Sequence, residues 1–113
     1  MIYRSMHKSL NDVAKRDARF APGDTEIWYA KEPDFRITSK PDLARDFVLL
    51  GKIQATDLDE IYSIMQGDYW SPRGEARDLI RGLGLHHTSM SVGDVIVVGG
   101  EMCQVDAYGF CRW

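Results

Sequence analysis

Long hydrophobic runs are missing from this sequence. No uninterrupted apolar stretch exceeds four residues, as in FVLL at 47–50 and VIVV at 95–98. A bilayer crossing needs roughly 20 apolar residues, so no membrane span and no membrane partner are expected. The opening residues, MIYRSMHK, lack the apolar centre and small-residue cleavage site of a secretory signal, and the expected location is the cytoplasm. Cysteine is scarce. Cys103 and Cys111 are the only two, too few for a disulfide framework, and in a reducing compartment they are expected to be free thiols.

A strong excess of either charge is absent too. Fourteen Lys and Arg stand against seventeen Asp and Glu, a net charge of −3. Non-specific duplex DNA binding depends on neutralising phosphates with Lys and Arg, so that class is disfavoured. Ligand spacing for zinc is missing: His86 and His87 are adjacent and the two cysteines lie far apart, whereas zinc sites use close pairs. No metal and no cofactor are expected, and Cys103 reads as a small core hydrophobe. Internal repeats, low-complexity tracts and dividing linkers are also absent.

What is present suits one globular domain spanning 1–113. Hydrophobic residues make up 44%, charged residues 27% and aromatics 11% of the 113 residues, enough to build a single core. Ile2 to Met6 can be read as a strand. Leu10, Val13, Ala14 and Asp17 sit at helical spacing, so a short helix is expected over 9–18 with Ser9 or Asn11 as its cap. Residues 25–30 (TEIWYA) read as a strand, and 35–38 as a weaker one. Ser39 to Asp42 open a helical turn with Pro41 in its first turn.

Residues 47–55 (FVLLGKIQA) read as a strand, buried on both faces near Val48–Leu50, with Gly51 marking a bulge or close backbone approach. A helix follows, with Thr56 and Asp59 as a capping box, Leu58, Ile61, Tyr62 and Met65 on its apolar stripe, and Gly67 as its stop. Asp57, Asp59 and Glu60 fall in its first turn, where the macrodipole explains them without catalysis. Asp68-Tyr69-Trp70 reads as a linker. Ser71 then caps a second helix, opened by Pro72 and carrying Ala76, Leu79, Ile80 and Leu83 on its apolar side. The clearest local signal comes last. Two β-branched runs flank Gly99-Gly100, a two-residue turn that needs positive φ. The pairing sets Ile96 opposite Cys103 and Val97 opposite Met102, so both faces of the hairpin are apolar and it belongs in the body of the sheet. The expected class is α+β: a mostly antiparallel sheet of four to five strands with two to three helices on it.

The order of strand 47–55, helix, insert and hairpin, with Ser89, Ser91, Val92, Asp94 and Val95 in an S-x-S-V-x-D-V-V segment and Asp106, Gly109 and Phe110 at the end, resembles the YodL-like family. These are small domains of phages, plasmids and other mobile elements. The resemblance covers 47–113 and leaves 1–46 as an N-terminal elaboration; the helix at 71–84 is an insertion before the hallmark. It implies a mobile-element setting and carries with it no established catalytic activity or cofactor. Its motif residues Ser89, Ser91, Gly93, Asp94, Asp106, Gly109 and Phe110 have simple structural readings as turn and strand positions.

Three functional readings follow. The first is a non-enzymatic interaction module acting on a protein partner, such as a host or defence protein. The second is a small-ligand or nucleic-acid binding domain. Its surface would combine Tyr69 and Trp70 with Arg73, Arg77 and Arg81, which recur every four residues and would share one helix face. The third is a small hydrolase-like enzyme, for which Ser89, His87 and Asp94 are the one available cluster; no catalytic residue is assigned. Self-association is left open.

Overall fold

The computed structural model describes residues 9–32 and 39–113. The strand readings at Ile2 to Met6 and at 35–38 lie outside the described residues.

The hairpin forms as its turn chemistry demands. Gly99 and Gly100 take φ of 59° and 78°, the left-handed pair that a primed turn requires. They join β3 (Val95–Val98) to β4 (Glu101–Asp106), with Ile96 opposite Cys103 and Val97 opposite Met102. A second turn, in which Asp106 Oδ1 accepts the Tyr108 N–H at 2.8 Å, leads into β5 (Gly109–Arg112). β1 (Pro22–Ala30) pairs with β3 on one side and with β2 (Phe47–Ile53) on the other. The sheet is antiparallel throughout, in the order β2-β1-β3-β4-β5. The hairpin therefore lies in its body, with β3 central.

Period-two alternation gives the sheet two apolar faces. Ile27, Tyr29, Ile96 and Val105 point into the main core, where Leu10, Phe20, Ile61, Ile64, Trp70, Leu79 and Ile80 cover them. Ala30, Phe47 and Val95, flanked by Trp28, Val97 and Met102, form a smaller cluster on the reverse face. Cys103 is fully buried, and Cys111 pairs with Gln104, one position along β4. Successive strand residues face opposite sides, so the two cysteines stand on different faces and remain free.

Among the described residues the sheet holds five strands, and the helices laid on it are short. α1 (Leu10–Val13) is capped by Ser9 in a reciprocal capping box with Asp12, and a single 3₁₀ turn follows at Ala18–Phe20. α1 approaches β2 where Gly51 lies: a Cβ there would sit 3.0 Å from the Leu10 Cβ. Leu50 is the extra residue of a bulge opposite Ile27 and Trp28, so Gly51 marks both features read from the sequence.

Several boundaries differ from the sequence reading. α2 (Leu43–Asp46) is capped by Asp42, whose side chain accepts from the Arg45 N–H, so Pro41 precedes the cap instead of occupying the first turn. α3 (Leu58–Ile64) is capped by Asp57, whose carboxylate takes the N–H groups of both Asp59 and Glu60; a carboxylate one position later displaces Thr56. Gly67 does not end this helix in a left-handed conformation but opens α4 (Gly67–Trp70), so 68–70 is a helical turn and not a linker. α5 is confined to Arg77–Gly82. Ser71 Oγ caps a turn by accepting the Ala76 N–H at 2.9 Å, and Gly74 at φ 80° interrupts the chain, so Pro72 does not open the helix.

Gly23 closes the end of the β1–β2 pair. A Cβ added there would stand 2.4 Å from the Ile53 carbonyl oxygen and 2.6 Å from its carbon. Backbone cannot yield as a side-chain tip can. Gly23→Ala is expected to lower stability by about 1–3 kcal/mol in urea unfolding; an unchanged midpoint would contradict this packing.

Candidate functional site

The Ser91 to Asp94 turn is tied down by several hydrogen bonds. Gly93 takes φ 101°, and the Asp94 N–H donates back to the Ser91 carbonyl at 3.0 Å. Gly93 N–H and the Asp94 carbonyl both bond to Val105, and the Gln104 amide donates to the Gly93 carbonyl at 3.0 Å. The turn is thereby stitched to β4.

The Asp94 side chain is only 1% exposed, and its hydrogen-bond partners among the described residues are donors. Its carboxylate accepts the Ala30 N–H and the Ser91 N–H, each at 2.8 Å, and His87 Nε2 at 2.9 Å. A buried charge is tolerated when its lone pairs are filled this way. The His87 ring lies parallel to that of Tyr29, with centroids 4.6 Å apart. Tyr29 donates its hydroxyl to the Thr88 carbonyl at 2.6 Å, and Trp70 Nε1 donates to the same oxygen at 3.2 Å. Burial pushes the Tyr29 phenol well above its usual range, and the Asp94 charge adds to this.

This arrangement brings His87 and Asp94 together and leaves the serines out. Ser89 Oγ accepts the Gly67 N–H at 2.7 Å, and the Ser91 hydroxyl donates to the Ser89 carbonyl at 3.0 Å. With its proton on Nε2 toward Asp94, His87 presents Nδ1 as a lone pair, and that buried atom meets no hydrogen-bond partner among the described residues. A serine nucleophile requires a base on its hydroxyl; neither serine is hydrogen-bonded to His87. The cluster holds 86–94 in place. Among the described residues, no group of three or more His, Cys, Asp or Glu is placed to hold a metal.

The predicted Arg and aromatic surface is rearranged. Trp70 is 1% exposed and belongs to the core, because α4 is a helical turn laid on the sheet. Arg73 lies in the turn before α5, its N–H donating to Glu75 Oε1 at 2.7 Å, so it does not share the helix face. Tyr69 is exposed but engaged: it donates to Asp17 Oδ2 at 2.7 Å and accepts from Arg19, whose guanidinium also lies over its ring. Hydrogen bonds from Arg19 hold the Asp17 carboxyl well below the usual carboxylate range.

Arg77 and Arg81 remain. They stand one turn apart on α5 and line a cleft of about 570 Å³ together with Gly67, Ser71, Gly74, Ile80, Gly84, Leu85, His86 and Thr88. Neither arginine takes part in an ion pair among the described residues. Ile80 and Leu85 are almost fully buried and give the cleft an apolar floor. His86 and Thr88 flank His87, so the Asp94 anchor fixes one wall. The Arg77–Arg81 spacing was readable in the sequence. The parts played by Ser71, Gly74, Gly84 and Leu85 carried no local signal.

No family model, curated protein or solved structure matches the chain.

Two outcomes test this geometry. Asp94→Asn replaces an acceptor by a group that must turn its own N–H₂ toward incoming donors, and is expected to cost about 2–3 kcal/mol in urea unfolding; a loss near zero would contradict the hub. The lowered Asp17 pKa stabilises the fold above the ordinary unfolded value of about 3.9. That contribution fades as the pH falls through this value toward the folded one. Asp17→Asn should therefore show a flatter loss of unfolding midpoint on acidification than the native chain, and parallel curves would contradict the assignment.

Proposed function

We propose that this domain is a non-enzymatic binding module whose working surface is the cleft beside α5 and whose ligand is anionic. One observation carries the reading. Two guanidiniums and the His86 imidazole line one cleft, and among the described residues no Asp or Glu lines it, in a chain whose net charge is −3. The surrounding negative charge discourages indiscriminate polyanion binding, while the local positive charge recruits a fitted anion. Arginine suits the task because its planar fork grips phosphate or carboxylate oxygens in pairs.

The likeness of 47–113 to the YodL-like family supports a mobile-element setting for this module. It is also the support for a host or defence protein as its eventual target. The lack of a base on Ser89 or Ser91 favours binding over hydrolysis. Among the described residues no helix is long and apolar enough to cross a membrane.

Ligand binding to the folded state alone raises the melting temperature. Pyrophosphate is expected to raise it relative to chloride at equal ionic strength, and the rise should vanish in the Arg77→Glu, Arg81→Glu double variant. No rise in the native chain, or an equal rise in the double variant, would overturn the reading.

A further inference from the structure

We infer that the ligand of this cleft is a small phosphate monoester carrying an apolar body, an inference that rests on the anion-binding reading above. The glycines of the cleft do not form a backbone cradle for phosphate. The Gly67 N–H is taken by Ser89 Oγ at 2.7 Å. Those of Gly74 and Gly84 go to the carbonyls of Ser71 and Arg81, at 3.1 and 3.0 Å. Charge recognition therefore falls to side chains.

Arg77 is preset for it. Its guanidinium lies against Gly74, where a Cβ would come within 3.3 Å of Nη2, and the φ of 80° at that glycine already disfavours any side chain. Arg81 follows one helical turn later, so two cationic forks flank one headgroup, which suits a dianion better than a single carboxylate. Ser71 Oγ accepts the Ala76 N–H, leaving its own proton to donate to a phosphate oxygen.

The rest of the ligand is read from the floor and from what the walls omit. Ile80 and Leu85 offer an apolar surface, and among the described residues no Phe, Tyr or Trp lines the cleft. Sequence-tolerant single-strand binders depend on aromatic platforms for successive bases. Here Trp70 is buried and Tyr69 lines a different cleft, beside Arg16 and Asp17. A volume of about 570 Å³ falls in the range of about 300–1,000 Å³ that small molecules occupy.

Calorimetric titration of the full chain with naphthyl phosphate, inorganic phosphate, naphthoate and an oligothymidylate tests this. Naphthyl phosphate is expected to bind at least about tenfold more tightly than each of the others, a difference of about 1.4 kcal/mol. Arg81→Gln, with its fold checked by circular dichroism, should lose about tenfold of that affinity, and Arg77→Lys should also weaken it by removing the paired donors. Naphthyl phosphate binding no better than inorganic phosphate, naphthoate or the oligonucleotide would overturn the inference while leaving an anion cleft in place. An affinity unmoved by Arg81→Gln would overturn it as well. Absence of binding by every one of these anions would overturn both it and the reading beneath it.

Discussion

A single buried carboxylate organises this fold. Asp94 draws donors from three separate places: the Ala30 amide at the end of β1, the Ser91 amide of its own turn, and the imidazole of His87. Each donor alone is an ordinary interaction. Together they allow a charge to stay inside the protein, and the cost of removing water from it makes the full set obligatory. The same residue uses its main chain to hold Val105 of β4. It thus joins the start of the hairpin to the end of β1 and to the segment at 87–91.

The cleft beside α5 inherits its shape from that anchor. His87 is held between Asp94 and the Tyr29 ring, and Thr88 is held through its carbonyl by Tyr29 and Trp70. Ser89 then reaches Gly67 at the start of α4, and the Met90 amide bonds the Met65 carbonyl at 3.1 Å. One wall of the cleft is therefore rigid. The opposite wall is a six-residue helix, α5, too short to persist alone and fixed by burial of Ala76, Leu79 and Ile80. Arg77 and Arg81 project from this second wall, which places charge on a short element braced by the core.

Where the local pattern and the tertiary demand agreed, the fold was legible. Gly99-Gly100 announced the hairpin and its register, because only a primed turn suits two glycines between β-branched runs. Gly51 announced a bulge or a close approach, and the structure holds a bulge at Leu50 beside it and packs Leu10 against it. Elsewhere distant partners decided. Gly67 reads as a helix stop by propensity, yet its missing side chain answers to Ser89, where a Cβ would meet Oγ at 3.0 Å. Trp70 reads as part of a connecting segment, and its burial depends on a sheet whose strands lie both before and after it in the chain. Arg73 kept the four-residue spacing, but Gly74 broke the helix beneath it. Asp94 could be read as a turn residue from its neighbours alone; its bond to Ala30 spans 64 positions and leaves no mark in either local pattern. The Arg77 and Arg81 pair was visible as spacing, while the cleft between them and residues 84–88 is a tertiary product.

The central claim is that the Asp94 carboxylate closes the structure around itself. Amide hydrogen exchange at Ala30 and Ser91 tests it most directly. Both amides lie outside the regular ladder bonds and donate to this carboxylate. Protection matching that of amides in the β1, β3 and β4 ladder is the predicted result, since opening them would then require global unfolding. Exchange of either amide at the rate of an exposed loop would contradict it.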